Sequence, residues 1–318
     1  MLFPFRLTPI YRDYVWGGKR LRPEAEITAE AWIIYDGNKV ADGLFAGEML
    51  AQVAEREGAA LLGNKVAALT GNRFPLLIKL LDCASWLSLQ VHPNNEQAEQ
   101  LEGIGHFGKT EAWYLIQADK GAELISGFQA GVTRADIQKS VGRKEILDLV
   151  NRQPVKTGDT IFIEPGTVHA LGPGLLLYEI QQNSDITYRV YDWDRPMTEG
   201  RKLHIQESIS VLNPDARGNF ISTDEIPKVS GKKELVSCKY FTLDLVDSVS
   251  GQAAVNLRGE SFSTVTALQD SIKVHGENWI FELHALESLF IPAIQGMYWV
   301  EGASTATALV AHAGSSLQ

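Results

Sequence analysis

Runs of apolar residues, separated by turn residues, predict short β-strands along most of the chain. Buried strands are predicted at Glu30–Tyr35, Phe74–Leu81 and Lys109–Ile116, and short strands again follow from Glu234 onward. Lys79 interrupts the second of these runs, so it either reaches solvent at a sheet edge or serves a pocket. The pattern indicates a mainly β fold.

Helical periodicity is confined to a few segments. It predicts a short helix at Leu50–Gly63, a helical turn at Pro93–Leu101 that begins at Asn94, and a helical insert at Thr133–Val150. Asp136 lies three residues after the first residue of that insert, which is the spacing of a capping box.

The stretch Trp86–Pro93 alternates between polar and apolar residues. If it is a strand, Ser88, Gln90 and His92 share one face. Two polar side chains two residues apart on one face could hold a small ion. The alternative is a histidine at a solvent edge or hydrogen-bonded in the core.

The segment Thr157–Gly172 carries a more specific signal. A Gly-Asp turn, a short apolar strand and a Pro-Gly turn precede His169, so two strands joined by a tight bend would direct this side chain inward. The following segment, Leu177–Tyr191, predicts a hairpin that turns at residues 183–185. Glu179 and Arg189 would then face each other, either in a site or as an exposed ion pair worth less than about 1 kcal/mol.

The composition becomes polar over Pro214–Lys233, which predicts a boundary between a domain at residues 1–230 and a second at 234–318. In the second domain, Leu286–Met297 aligns with Gly158–His169, and methionine replaces histidine. We therefore expect a second β-barrel without a metal, in which Met297 fills the interior.

Length and charge exclude several functional classes. The 318 residues are 45% hydrophobic and 21% charged, which is typical of a soluble globular protein of two domains. No apolar run suits a membrane span or a signal peptide, so a cytoplasmic location is expected. The net charge of −10 disfavours nucleic acid and anionic membranes as partners, but a small anionic substrate is allowed.

Glycines and cysteines exclude two further kinds of site. Gly17 and Gly18 predict a turn near a bulky group, and without a Gly-x-Gly-x-x-Gly spacing they do not form a dinucleotide loop. Cys83 and Cys238 are far apart, which argues against a disulfide framework or a thiolate zinc site. A metal would have to be held by histidine, carboxylate or amide groups.

The motifs resemble those of a known family. Gly158, Glu164-Pro165-Gly166 and His169 are similar to the second motif of cupin jelly rolls, although Glu164 stands where many cupins have proline. Gln90-Val91-His92-Pro93, followed by Lys109-Thr110-Glu111, resembles type I mannose-6-phosphate isomerases, in which the glutamate comes later than in other cupins. The resemblance covers most of the chain, and the modest helical insert resembles the short bacterial form.

This resemblance implies two jelly-roll (cupin) barrels and one zinc ion per chain, held by Gln90, His92, Glu111 and His169. It also implies residues that act on the substrate: catalytic Arg189, Lys109 and Glu179, and substrate-binding Lys79, Arg195 and Trp16, with Arg195 where a phosphate-contacting cation is expected.

The implied activity is the interconversion of mannose 6-phosphate and fructose 6-phosphate through a cis-enediol. Zinc and Arg189 would stabilise the developing negative charge. The proton carrier is either a carboxylate such as Glu179 or a water bound to the metal.

Two other functions remain open from the sequence. One is a different metal-dependent cupin, either an oxygenase or a sugar-phosphate epimerase, although oxygenases usually present two or three histidines without the Gln-x-His-Pro motif. The other is a sugar-binding cupin without enzymatic activity. Retention of all four implied ligands, together with Lys109 and Arg189, favours the isomerase.

Overall fold

The computed structural model describes residues 2–196, 201–227, 231–247, 252–303 and 306–314. The strands of the first 223 residues are β1 (Ile10–Arg12), β2 (Glu30–Ile34), β3 (Leu76–Cys83), β4 (Leu89–Val91), β5 (Glu111–Ala118), β6 (Glu123–Phe128), β7 (Val150–Pro154), β8 (Thr160–Ile163), β9 (His169–Leu171), β10 (Leu175–Gln182), β11 (Tyr188–Tyr191) and β12 (Asn219–Ile221). The later strands are β13 (Gly231–Ser237), β14 (Phe241–Asp247), β15 (Gln252–Asn256), β16 (Ser263–Gln269), β17 (Ile272–His275), β18 (Ile280–Leu283), β19 (Ser288–Ile291), β20 (Met297–Gly302) and β21 (Thr307–Ala313).

Helices are short and few in the described residues. They are α1 (Leu50–Glu57), α2 (Ala59–Leu62), α3 (Asn64–Thr70), α4 (Asn95–Glu102), α5 (Arg134–Ser140) and α6 (Ile205–Val211), with 3₁₀ turns at Gly43–Phe45, Lys144–Asp148 and Ala293–Gln295. Across the described ranges, every helix is too short or too polar to cross a membrane. The prediction of a mainly β fold is confirmed.

The described strands form four sheets. Their orders are β1-β2-β3-β10-β5-β8-β12, β11-β4-β9-β6-β7, β13-β14-β21-β16-β19 and β15-β20-β17-β18. The pairs β10 with β5, β5 with β8 and β14 with β21 are all antiparallel. Closure of these sheets into two jelly-roll barrels stays a prediction.

Contacts between residues group the chain into two compact units. The first contains residues 1–10, 32–79 and 224–318, and the second contains residues 11–31 and 80–223. The grouping of residues 32–79 with the C-terminal segment was not expected from the sequence. The domain division at about residue 230 stays a prediction.

The first unit repeats a turn of the second. Gly158 N donates to Leu115 O at 2.8 Å, and Leu286 N donates to Ala267 O at 2.8 Å. Gly158 and Leu286 have φ values of 88° and 68°, so even the left-handed backbone is shared, although leucine adopts it at a cost. This geometry agrees with the alignment of residues 286–297 with 158–169.

Met297 does not fill an interior. It begins β20 and pairs with Asn256, and 44% of its surface is exposed. The prediction that Met297 is core filling is therefore wrong. The alignment gave the position along the strand, but not the face on which the side chain lies.

The predicted helical insert is divided. Thr133 accepts from the backbone N–H of Asp136, which confirms the capping box, and α5 then ends after Ser140. A 3₁₀ turn covers Lys144–Asp148, and Val150 already belongs to β7. The apolar positions of this segment are buried in one hydrophobic cluster with β4 and β11, which explains their helix-like spacing.

The predicted hairpin at Leu177–Tyr191 is wrong in its pairing. Both strands exist, but β10 pairs with β5 and β11 pairs with β4, in different sheets. Glu179 lies opposite Trp113, and Arg189 lies opposite Gln90, so the two do not face each other across a strand pair.

Candidate metal centre

Three strands of the second unit bring the candidate ligands together. Gln90 of β4 pairs directly with His169 of β9, and Glu111 begins β5. The bend before His169 is fixed by Gly166, which has φ of 85° and donates its N–H to His92 O at 2.9 Å. The Pro-Gly turn predicted from the sequence therefore delivers His169 inward, as expected.

His92, Glu111 and His169 form a buried cluster whose possible ligand atoms all lie within 4.8 Å of one another. His92 Nε2 is 3.5 Å from Glu111 Oε2, and His169 Nε2 is 3.2 Å from Glu111 Oε1. These three residues are almost completely shielded from solvent.

Backbone carbonyls determine which nitrogen of each histidine faces the cluster. His92 Nδ1 lies 2.8 Å from Ile186 O, and His169 Nδ1 lies 2.9 Å from Thr167 O. A carbonyl oxygen can only accept, so Nδ1 is the protonated nitrogen in the neutral tautomer of each ring, and in that tautomer Nε2 presents a lone pair.

Two imidazole lone pairs and a carboxylate thus converge, and none of these three groups has a proton to donate to another. His92 Nε2 and Glu111 Oε1 make no hydrogen bond among the described residues. Such an arrangement of acceptors is unfavourable unless a cation lies among them. The cluster therefore fits a metal ion, and its nitrogen and oxygen donors suit zinc.

Gln90 is placed to complete the set. Its Nε2 lies 3.2 Å from His169 Nε2 and donates to that lone pair. Rotation of the amide by half a turn would bring Oε1 to the same position, and the two orientations differ only in hydrogen bonding. The structure therefore gathers all four residues that the resemblance implied.

Lys109 supplies the positive charge nearest to this cluster. Its Nζ is 3.1 Å from Glu111 Oε2 and 4.0 Å from Glu179 Oε1, and the residue is 3% exposed. Burial acts to raise the pKa of Glu111, but the charges of Lys109 and the two histidines hold that pKa well below its ordinary 4.5. Burial, followed by Lys109, holds the pKa of His92 well below 6.5, so the ring is neutral, as a metal ligand requires.

Glu179 is oriented by a residue that the sequence analysis missed. Trp113 Nε1 donates to Glu179 Oε2 at 3.0 Å, and the two residues are opposite each other in the pairing of β5 with β10. Period-two alternation puts Glu111 and Trp113 on one face of β5, but the partner strand could not be identified from sequence.

Arg189 of β11 lies beside β4, the strand that carries Gln90. Directly opposed residues project to the same side of a sheet, so Arg189 shares the face of Gln90. Its Nη1 donates to Lys202 O at 3.0 Å, while Nε is buried without a hydrogen bond among the described residues.

The three substrate-binding residues implied by the resemblance occupy different surroundings. Arg195 donates to Asp192 Oδ1, Ser85 Oγ and Trp86 O at 3.2, 3.0 and 2.8 Å. Trp16 is buried in a hydrophobic cluster of the second unit. Lys79 belongs to the first unit, where its Nζ lies 5.1 Å from the centre of a Trp32 ring. Their roles in substrate binding stay predictions.

Comparisons with known proteins identify relatives that match most of the chain. Residues 4–121 match the family described as phosphomannose isomerase type I, catalytic domain. Mannose-6-phosphate isomerase ManA of Bacillus subtilis (strain 168) is 33% identical over 312 residues, or 94% of this chain and 96% of that protein. A mannose-6-phosphate isomerase of Streptococcus mutans is 40% identical over 257 residues, or 76% of this chain and 78% of the relative.

The fold agrees with these sequence relationships. The crystal structure of the mannose 6-phosphate isomerase from Bacillus subtilis superposes with a TM-score of 0.83 at 31% identity, and the match covers 98% of this chain and 100% of that one. The chain therefore belongs to the type I mannose-6-phosphate isomerase family.

Proposed function

We propose that this protein interconverts mannose 6-phosphate and fructose 6-phosphate through a cis-enediol, with one zinc ion per chain. The observation that carries the proposal is the convergence of His92 Nε2, His169 Nε2 and the Glu111 carboxylate beside Lys109. The relatives at 33% and 40% identity are named mannose-6-phosphate isomerases, and they match 94% and 76% of this chain.

Gln90, His92, Glu111 and His169 would hold the zinc ion. When bound, zinc supplies Lewis acidity toward the sugar oxygens. The carbonyls of Ile186 and Thr167 keep the two imidazoles in the required tautomer, so the protein itself fixes the direction of the donor atoms.

Glu179 is assigned the role of the base that transfers a proton between C2 and C1 of the substrate. Its Oε1 removes the proton from C2 of the open-chain aldose and returns it to C1, while the hydroxyl proton on O2 ends on O1. Trp113 holds the other carboxylate oxygen, and thereby sets the direction in which Oε1 is presented. This assignment selects the carboxylate from the two carriers that were open from the sequence.

Lys109 and Arg189 are assigned the stabilisation of the negative charge that develops on the substrate. The Lys109 ammonium lies between Glu111 and Glu179, where it can donate to the oxygen that gains charge as C2 loses its proton. Arg189 projects from the same sheet face as Gln90 and keeps its Nε available for an anionic group. Arg195, Lys79 and Trp16 remain the proposed contacts to the rest of the substrate.

The first prediction tests metal and reaction together. Purified protein should contain about one zinc per chain by elemental analysis and should form fructose 6-phosphate from mannose 6-phosphate. A chelator should abolish the reaction, and added zinc should restore it, because the metal would supply the Lewis acidity that the four ligands alone lack.

His169→Ala should bind less zinc and lose most activity, whereas His284→Ala provides a matched control on an exposed histidine that hydrogen-bonds Ser271. Full activity in protein that contains no metal would contradict the assignment of zinc. Absence of isomerase activity in the zinc-loaded protein would contradict the proposed reaction.

A further inference from the structure

Gln181 lies beside the metal centre, but none of the motifs includes it. Along β10, Leu177, Glu179 and Gln181 share one face, and this face changes from apolar to polar toward the end of the strand. Leu177 packs in the hydrophobic cluster of the second unit, and Gln181 pairs directly with Glu111. The side chains of Gln181 and Glu111 therefore project to the same side of the sheet as near neighbours.

The orientation of the Gln181 amide is determined by its surroundings. Nε2 donates to Gln182 O at 3.2 Å and also donates to Ser184 O. Since both partners are carbonyl oxygens, the amide cannot be rotated without placing oxygen against oxygen. Oε1 is thus held away from these carbonyls.

The same turn fixes both this amide and a candidate metal ligand. Ser184 O receives the Gln181 amide, and Ile186 O lies 2.8 Å from His92 Nδ1. Ser184 Oγ in turn donates to Phe107 O at 2.8 Å, which ties the turn to the segment that leads into Lys109. The turn that holds the Gln181 amide therefore also contacts His92 and the segment before Lys109.

Gln181 Oε1 is an acceptor without a donor. The residue is completely buried, and Oε1 makes no hydrogen bond among the described residues. Buried polar atoms in native proteins are nearly always paired, so an oriented but unpaired amide oxygen beside a site indicates a donor supplied by a ligand or a water.

We propose that Gln181 is a substrate-positioning residue whose Oε1 accepts a hydrogen bond from a hydroxyl of the open-chain sugar. This inference rests on the proposed function, because it requires a polyhydroxylated substrate beside the metal centre. An amide oxygen recognises a hydroxyl donor and has no attraction for the phosphate, so Gln181 acts on the carbon chain of the substrate.

Two inhibitors distinguish recognition of the sugar hydroxyls from recognition of the phosphate. Sorbitol 6-phosphate carries both kinds of group, whereas inorganic phosphate lacks the carbon chain. Gln181→Leu should weaken inhibition by sorbitol 6-phosphate about tenfold, as expected for the loss of one neutral hydrogen bond. Inhibition by inorganic phosphate and the zinc content should not change. Gln181→Asn, which keeps an amide but withdraws the oxygen by one methylene, should show the same selective loss if the leucine variant does not fold.

Gln182→Leu is the matched control, because both polar atoms of the Gln182 side chain already have protein partners. Its Oε1 accepts from Thr110 N and its Nε2 donates to Asn95 Oδ1, at 3.0 Å each. This variant should lower the melting temperature without a selective loss of inhibition by sorbitol 6-phosphate relative to inorganic phosphate. Equal inhibition constants in the wild type and both Gln181 variants would overturn the inference, as would a parallel loss for both inhibitors. A wild-type protein that neither isomerises the substrate nor binds sorbitol 6-phosphate would instead overturn the proposed function.

Discussion

Arg189 projects from the face of β11 that carries Gln90 across the strand pair, which brings a guanidinium to the strand with the first candidate ligands. Its backbone is fixed on both sides, since Arg189 N donates to His204 Nδ1 at 3.1 Å and His204 N donates to Arg189 O at 2.9 Å. The guanidinium itself is held by the donation of Nη1 to Lys202 O at 3.0 Å. The proposed role in charge stabilisation therefore does not require the hairpin contact with Glu179.

We predict that Arg189→Lys lowers kcat more than it lowers stability. A lysine keeps the charge but loses the planar fork, and removal of one preorganised donor typically costs about 10²–10³-fold in kcat, or roughly 3–4 kcal/mol. Steady-state kinetics and thermal melts on the same variant measure the two effects. A kcat near that of the wild type, together with a lower melting temperature, would assign Arg189 a structural role.

At the level of elements, the Gly17–Gly18 pair forms a close approach of backbone segments within the second unit. Gly17 bridges to Cys83, and Gly18 bridges to Thr28. A Cβ on Gly17 would lie 2.5 Å from Ala29 N, and one on Gly18 would lie 2.3 Å from Asp82 Oδ2. The sequence predicted a turn near a bulky group, but the neighbour of Gly17 is backbone.

Gly17→Ala should destabilise the protein by at least about 1–3 kcal/mol, the usual cost of overpacking, because a backbone segment cannot move aside as a side chain can. Chemical denaturation measures this change in the free energy of unfolding. Gly37→Ala is the comparison: its Cβ would meet the Tyr35 ring at 2.7 Å, and a ring can rotate away. If the two variants lose equal stability, backbone crowding is not the cause.

At the level of the whole molecule, the buried cluster couples stability to pH. The folded pKa of His92 lies below 6.5, so the unfolded chain binds the proton more readily, and the stability from the neutral ring is present above pH 6.5 and lost below it. The folded pKa of Glu111 lies below 4.5, so the stability from its carboxylate is present above pH 4.5 and lost as the pH falls through the folded pKa. Both groups act in the same direction.

The melting temperature of the metal-free protein should therefore fall as the pH falls from about 7 toward 5. His92 contributes to this fall together with His204 and His312, because burial also lowers the pKa of those two rings. Thermal melts at stepped pH values provide the measurement. In His92→Gln, which cannot take up a proton, the slope should be smaller. If the melting temperature rises on acidification, or if it changes equally with pH in the wild type and the variant, then His92 is not buried as a neutral ring.

The sequence by itself determined the local features of the protein. The capped start of α4 at Asn94, the capping box at Thr133 and the bend that delivers His169 are all present as predicted. Each depends on residues a few positions apart, and alternation with period two fixes which side chains of a strand share a face. The candidate ligands were identifiable because the motifs of the family lie within such local segments.

Only the tertiary structure decided which strands pair and which faces are covered. β10 and β11 are consecutive but join different sheets, and Met297 follows the pattern of His169 while remaining 44% exposed. The backbone donors and acceptors of a strand fit any partner, so pairing is selected by packing between segments that are distant in sequence. For this reason the ligands could be named from the sequence, whereas the contact of Glu179 with Trp113 and the place of Gln181 opposite Glu111 could not.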